Sequence, residues 1–273
     1  MATDPIEGAA AERVSVEVSG HLAEVTLSRP EKHNGIDYPM FDAINAAIDQ
    51  LQETPSVRAV VLRGEGPSFC AGLDFAGVMA EGRPLGDAFD RREGEIANNF
   101  QRVAYGWQQL PAPVIAALHG NCLGGGAQIA LAADIRIAAP DLRLSVMEIK
   151  WGLIPDMGLT QSLPRLVGAD RAKELAFTGR ILGAEEALEL GLVTQISDQP
   201  AIAARELATE IAAKSPDAIR RAKLLFEGAW NAPAAEALAL EERLQRELLG
   251  SPNQIAAMQA GLSGEPAQFE DPS

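Results

Sequence analysis

Three consecutive glycines, Gly124-Gly125-Gly126, lie inside the stretch His119-Gly120-Asn121-Cys122-Leu123-Gly124-Gly125-Gly126-Ala127-Gln128. The run before it, Pro113-Val114-Ile115-Ala116-Ala117-Leu118, has the length and bounding residues of a buried strand. The run after it, Ala127 to Ala133, is rich in helix formers. A strand therefore turns into a helix at the glycines. Without Cβ atoms the backbone there admits a close ligand. The first amides of a helix have no intrahelical acceptor and carry the positive end of its dipole. Such a place suits a negatively charged oxygen. On the glycines alone, a tight turn with close strand–helix packing is an equal alternative.

A second unit repeats the arrangement. Val57 to Arg63 reads as a strand and runs into Gly64-Glu65-Gly66-Pro67-Ser68-Phe69-Cys70-Ala71-Gly72-Leu73-Asp74-Phe75. Two strand-then-glycine-loop units point to a repeated ββα build with its loops at a common end. A net charge of −15 argues against a general nucleic-acid surface or an anionic membrane surface. It leaves an anionic ligand open, because backbone amides and a few local cations hold phosphate without a basic protein. No apolar run is long enough to span a bilayer. Met1 to Glu7 lacks the basic and apolar regions of a signal peptide, so the expected location is the cytoplasm. Cys70 and Cys122 flank the glycine loops and read either as nucleophiles or as small buried side chains in a reduced compartment. His21, His33 and His119 have no metal-ligand spacing, and no metal is expected.

Four segments then resemble one family. They are Arg29-Pro30-Glu31-Lys32-His33-Asn34, FCAGLD at 69–74, PAPVIAALHGNCLGGG at 111–126 and MEIKWGLIPDMG at 147–158. Together, in this order and spacing, they resemble the crotonase (enoyl-CoA hydratase/isomerase) superfamily over roughly residues 13 to 260. The resemblance implies an α/β fold, a crotonase-like spiral of repeated ββα units over 13–197 that carries the site. It implies a C-terminal helical oligomerisation region over 198–263, giving a trimer or dimer of trimers. Residues 1–12 and 264–273 read as frayed tails.

Local patterns fill in the elements. Val14, Val16 and Val18, then Leu22, Val25 and Leu27, form a hairpin around Ser19-Gly20-His21. A helix runs from Pro39 to about Glu53, and another from about Ile96 to Gln109 with Phe100, Val103, Trp107 and Leu110 inward. Residues 77–94 have no clear period and read as a mobile segment near the site. Short strands are expected around Ile135–Ile137, Leu142–Val146 and Val193–Ile196, and a short helix from Met157 to Leu166. Helices at 171–177 and 184–190 end at Gly179 and Gly191. Helical segments at 200–214, 216–228, 233–249 and 252–261 follow, with no sheet of their own to cover.

The resemblance places two oxyanion donors at the backbone N–H groups of Leu73 and Gly125. Two amides on a thioester oxygen act most strongly when it becomes an enolate, so they lower a barrier rather than merely bind. Family hydratases use two glutamates. One is present as Glu148; the other is replaced by Gln128, whose amide exchanges no proton at neutral pH. Asp156, eight residues past Glu148, resembles an acid of the dienoyl-CoA isomerase branch. That branch also keeps an acid at position 128, so the match is partial. As a residue on its own, Asp156 has a helix N-cap as its competing reading. Coenzyme A, as part of the substrate and with no separate cofactor, is expected along Lys32, His33, Ala71, Gly72, Gly124 and Phe75. Asp74 belongs to the same loop and reads more as a structural acceptor than as a base. Leu73, Phe75, Met79, Trp107 and Trp151 are the candidates that set acyl length. The leading expectation is an acyl-CoA enzyme that shifts a double bond, with hydration of a 2-enoyl-CoA as the alternative. A silent coenzyme A binder is a third reading. A dinucleotide enzyme is disfavoured, since no G-x-G-x-x-G with a following acid is found.

Overall fold

The computed structural model describes residues 12–83, 86 and 89–272. The expected tail at 1–12 lies almost wholly outside them. A hairpin of β1 (Val14–Ser19) and β2 (Leu22–Leu27) opens the chain. Parallel strands β3 (Ala59–Gly64), β4 (Val114–Leu118), β6 (Ile135–Ala138) and β8 (Gln195–Ile196) extend it into a six-stranded sheet, ordered β1-β2-β3-β4-β6-β8. A second ladder pairs β5 (Asn121–Leu123) with β7 (Arg143–Ser145). Single bridges extend that ladder from Cys70 to Cys122 and from Leu144 to Leu182. Each turn of the chain thus adds one rung to each ladder, which is the ββα spiral expected.

Side chains alternate along the parallel strands, and both faces of the sheet are covered. Val60, Leu62, Val114, Ala116 and Leu118 face the main core with α1 (Tyr38–Gln52), α3 (Asn99–Gln109) and α4 (Gly125–Leu131). Ala59, Val61, Ile115, Ala117 and Ile137 face the other way, onto Ala204 and Ala208 of α8 (Pro200–Ala212). The expectation that the C-terminal helices have no sheet to cover is corrected here. α8 closes the outer face of the sheet, and its alanines permit the close approach. Only α9 (Pro216–Ala229), α10 (Ala234–Leu248) and α11 (Pro252–Ser263) lie beyond it.

The caps explain the helix boundaries. The Asp37 carboxylate accepts from the Met40 N–H at 2.9 Å and Pro39 occupies the first turn, so α1 starts one residue before the proline. Asn98 and Gln101 form a reciprocal capping box, which starts α3 at Asn99 and leaves Ile96 outside, exposed. The expected helix from Met157 to Leu166 is instead a 3-10 turn at Leu159–Gln161 followed by α5 (Leu163–Val167). Pro164 suits a first turn and cannot continue an earlier helix. Short helices α6 (Ala169–Thr178) and α7 (Ala184–Glu189) follow, α6 ending at Gly179 with φ 58°. Of the aperiodic segment 77–94, the first residues belong to α2 (Phe75–Ala80), and part of the rest lies outside the described residues.

The chain's end is strapped down rather than frayed. Arg58, buried beside the hairpin, donates from Nη2 to the Phe269 carbonyl at 2.9 Å. Asn253 accepts from the Glu270 N–H at 2.9 Å. A buried guanidinium needs acceptors, and the C-terminal carbonyls supply them.

Candidate active site

The two glycine loops meet because β3 and β4 are neighbouring parallel strands and their following segments share the second ladder. Cys70 N–H donates to the Asn121 carbonyl at 3.0 Å, and Leu123 N–H donates back to the Cys70 carbonyl at 3.0 Å. Contact is close enough that only glycine fits at three points, Gly120 among them, where a Cβ would stand 2.1 Å from the Pro67 carbonyl oxygen. A Cβ on Gly72, φ 88°, would stand 2.7 Å from the Leu123 carbonyl oxygen and 3.5 Å from the Gly125 nitrogen. One on Gly126 would stand 2.4 Å from the Cys70 carbonyl oxygen.

Leu73 lies in extended backbone beside Ile36. Ile36 N–H donates to the Gly72 carbonyl at 2.8 Å and Asp74 N–H donates to the Ile36 carbonyl at 2.9 Å. Amides alternate sides along an extended chain, so the Leu73 N–H points away from Ile36. Among the described residues it has no acceptor. The Gly125 N–H, at the first position of α4, has none either. Two amides on adjoining loops are thus left unengaged, which is what an oxyanion cradle requires.

The side chains converge on the same place. A Cβ on Gly124 would lie 3.5 Å from Oε1 of Glu148, which puts that carboxyl beside the glycine loop. Gln128, one turn into α4, donates from Nε2 to Glu148 Oε1 at 2.7 Å and accepts from the Met157 N–H at 2.9 Å through Oε1. The Met157 amide can only donate, so it fixes which end of the glutamine faces Glu148. Glu148 Oε1 is therefore an acceptor, and a proton on this carboxyl belongs on Oε2. That atom is buried and has no partner among the described residues.

Burial pushes the Glu148 pKa up, and the nearby charge of Asp156 adds to this; its own backbone amide and Gln128 pull the other way. Asp156 is raised too, by partial burial of its carboxyl, although the residue as a whole is exposed. The N-cap reading of Asp156 is not realised: Gly158 caps the turn that follows.

Other expected residues are placed differently. Asp74 caps α2 by accepting from Gly77 N–H at 3.1 Å and pairs with Arg29 Nη2 at 2.9 Å. Burial opposes its charge, but the Gly77 amide and Arg29 outweigh this and hold its carboxyl below the usual range. The His33 ring bonds Ser68 Oγ at 2.9 Å, and its carbonyl accepts from Ala71 N–H at 2.9 Å. Lys32 stays on the surface, close enough to Asp74 for its charge to favour that carboxylate. Phe75 meets the exposed Trp151 with ring centroids 4.8 Å apart, spanning from the oxyanion loop to the Glu148 turn. Trp107 is corrected from pocket to core: it is fully buried, its indole N–H donating to the Val103 carbonyl at 2.8 Å.

The cysteines are not nucleophiles. Both are buried; burial pushes Cys70 up to about 12 and Cys122 well above its usual range. His119 bonds the Gly66 carbonyl at 2.9 Å, a structural role. Sequence reasoning missed the brace behind the cradle. Arg29 Nη1 donates to the Gly35 carbonyl at 2.8 Å and Asn34 Nδ2 to the Ser68 carbonyl at 2.8 Å, while Arg13 pairs with Asp37 at 3.1 Å. Arg29 and Asn34 stand inside one of the quoted motifs, and that motif was the available signal.

A profile of the enoyl-CoA hydratase/isomerase family matches residues 17–272. The chain is 34% identical over 251 residues to the short-chain-enoyl-CoA hydratase of Clostridium acetobutylicum, covering 90% of this chain and 93% of that protein. It is 33% identical over 248 residues to human mitochondrial delta(3,5)-delta(2,4)-dienoyl-CoA isomerase, covering 88% and 76%. The crystal structure of an enoyl-CoA hydratase from Bacillus anthracis superposes with a TM-score of 0.85 at 30% identity, over 95% of this chain and 100% of that one. Fold and site thus define an enzyme of crotonase architecture. The chain belongs to the enoyl-CoA hydratase/isomerase family of the crotonase superfamily.

Proposed function

We propose that this enzyme isomerises an unsaturated acyl-CoA, moving a carbon–carbon double bond along the acyl chain. The observation that carries this reading is Gln128, held at both ends where a hydratase of this family needs a second acid–base group. Asp156 is the second carboxyl within electrostatic reach of Glu148. In this reading the Leu73 and Gly125 amides hold the thioester oxygen. Glu148, through Oε2, removes a proton from C2 of a 3-enoyl-CoA. The electron pair delocalises onto the thioester oxygen as a dienolate. As the carbonyl re-forms, the pair makes the C2=C3 double bond and the former C3=C4 π pair takes a proton from the Asp156 carboxyl onto C4. Glu148 is left protonated and Asp156 ionised, and proton exchange with water resets both. The burial that raises the Glu148 pKa makes its carboxylate a stronger base.

Hydration is the second reading, favoured by the exposure of Asp156, which lets water reach the site. A side-by-side assay separates them. Solvent deuterium entering 3-enoyl-CoA reports isomerisation, and 3-hydroxyacyl-CoA formed from 2-enoyl-CoA reports hydration. Isomerisation is expected to be faster, and Asp156→Asn to reduce it more than hydration. Gln128→Glu is expected to raise hydration. Rapid hydration with no isomerisation of any 3-enoyl substrate would overturn the proposal.

A further inference from the structure

Tyr38, the first residue of α1, is 3% exposed and its hydroxyl has no hydrogen-bond partner among the described residues. A buried phenol ordinarily finds one, because leaving it unpaired costs free energy comparable to a lost hydrogen bond. Its apolar neighbours among the described residues offer none. Val78 shares its cluster, Leu73 and Phe100 pack against it, and none of the three carries a hydrogen-bonding side-chain atom. Phe41 stacks on Phe100 at 4.5 Å, which extends the apolar compartment. Arg83 lies over the face of the phenol ring, 5.1 Å from its centroid, with its guanidinium committed to Asp42 at 3.1 Å. The ring is thereby held from its face and its edge, while its polar end is left without a partner.

Position gives this meaning. Leu73 is the residue whose N–H lacks an acceptor among the described residues, and its side chain packs against the cluster of Tyr38 and Val78. An acyl chain whose thioester oxygen is held at Leu73 has this compartment as its neighbour. We infer that Tyr38 is a specificity-determining residue, its hydroxyl pairing with a neutral oxygen, a hydroxyl or carbonyl, carried on the acyl chain away from the thioester. The inference rests on the acyl-CoA reading above and deepens it by naming the class of acyl group. A neutral oxygen fits better than a carboxylate, because Arg83, the cation over the ring, is already paired with Asp42.

The test is a binding comparison that needs no turnover. Dissociation constants are measured by calorimetry for short- and medium-chain acyl-CoA thioesters and for their ω- and (ω−1)-hydroxyl counterparts, with wild type and Tyr38→Phe. Wild type is expected to bind one hydroxylated member about tenfold more tightly than its plain partner, the size of one buried hydrogen bond. In Tyr38→Phe that ratio is expected to fall to about one. Without ligand, the variant's Tm is expected to hold or rise, because an unpaired hydroxyl has been removed. A preference that survives Tyr38→Phe, or wild type binding both members equally, would overturn this inference alone. A fall in Tm of the unliganded variant would give the hydroxyl a structural partner and also overturn it. Wild type binding neither thioester would overturn the acyl-CoA reading and this inference with it.

Discussion

Glu148 is neutralised more easily than an ordinary glutamate, and this has an energetic consequence apart from catalysis. A carboxyl whose pKa rises on folding favours the folded state while it is protonated. That contribution is complete below the unfolded pKa and is lost as pH rises through the folded one. Glu148→Gln keeps a neutral group at every pH, and its amide can still accept from Gln128 Nε2. The variant is expected to match wild type in Tm near pH 4, about the range where an unfolded glutamate titrates. At neutral to alkaline pH it is expected to melt higher than wild type. Turnover should fall by about 10²- to 10⁴-fold, the usual worth of a general acid–base group. Thermal melts across pH, set beside initial rates, check both halves; a variant less stable than wild type in alkali would refute the burial argument. A site that is strained for function and relaxed by its own inactivation is a common compromise.

At the scale of elements, the start of α4 carries two separable roles. A Cβ at Gly126 meets fixed backbone, the Cys70 carbonyl oxygen at 2.4 Å. At Gly125 it meets the flexible end of Met157, Sδ at 2.9 Å, and Ile36 Cδ1 at 3.0 Å. Gly126→Ala is therefore expected to force the two loops apart, lowering stability by about 1–3 kcal/mol. Gly125→Pro keeps the helix, since proline suits its first position, but deletes one donor. It should retain a folded protein and lose about 10²- to 10³-fold in turnover. Circular dichroism with initial rates distinguishes them; a Gly125→Pro protein that folds and turns over normally would exclude the cradle. The strands and long helices were legible because their apolar spacing is local: Val114 to Leu118, or Phe41, Ile44, Ile48 and Leu51. The meeting of the two loops was legible through Gly72 and Gly126, where a Cβ would strike fixed backbone. What could not be read from the residues depends on chain segments far apart in sequence. Arg29 reaching Asp74, Gln128 reaching Met157 N–H and α8 lying on Ile115 and Ile137 leave no periodic trace. Trp107 misled because a large aromatic in an amphipathic helix fits a pocket wall and a core equally well.

For the whole molecule, α9 and α10 leave large apolar side chains in water: Phe226 is 69% exposed, Trp230 55% and Leu238 64%. We propose that these helices join copies of the chain, and light scattering is expected to give a multiple of three subunits. Because each copy carries a net charge of −15, association should tighten as salt is added, and Phe226→Asp should weaken it. A monomer at micromolar concentration in moderate salt would contradict the proposal. Within one copy, the second ladder has a longer reach. Its rungs join Cys70, Cys122, Leu144 and Leu182, so both loops that present main-chain donors are welded into one backbone lattice. The side chains proposed to move protons, Glu148 and Asp156, and the Gln128 that holds Glu148, hang outside that lattice. On the proposed function, a point substitution at those side chains can exchange one reaction for another while the main-chain donors stay in place; chemistry is then set by what the lattice carries, and not by the lattice.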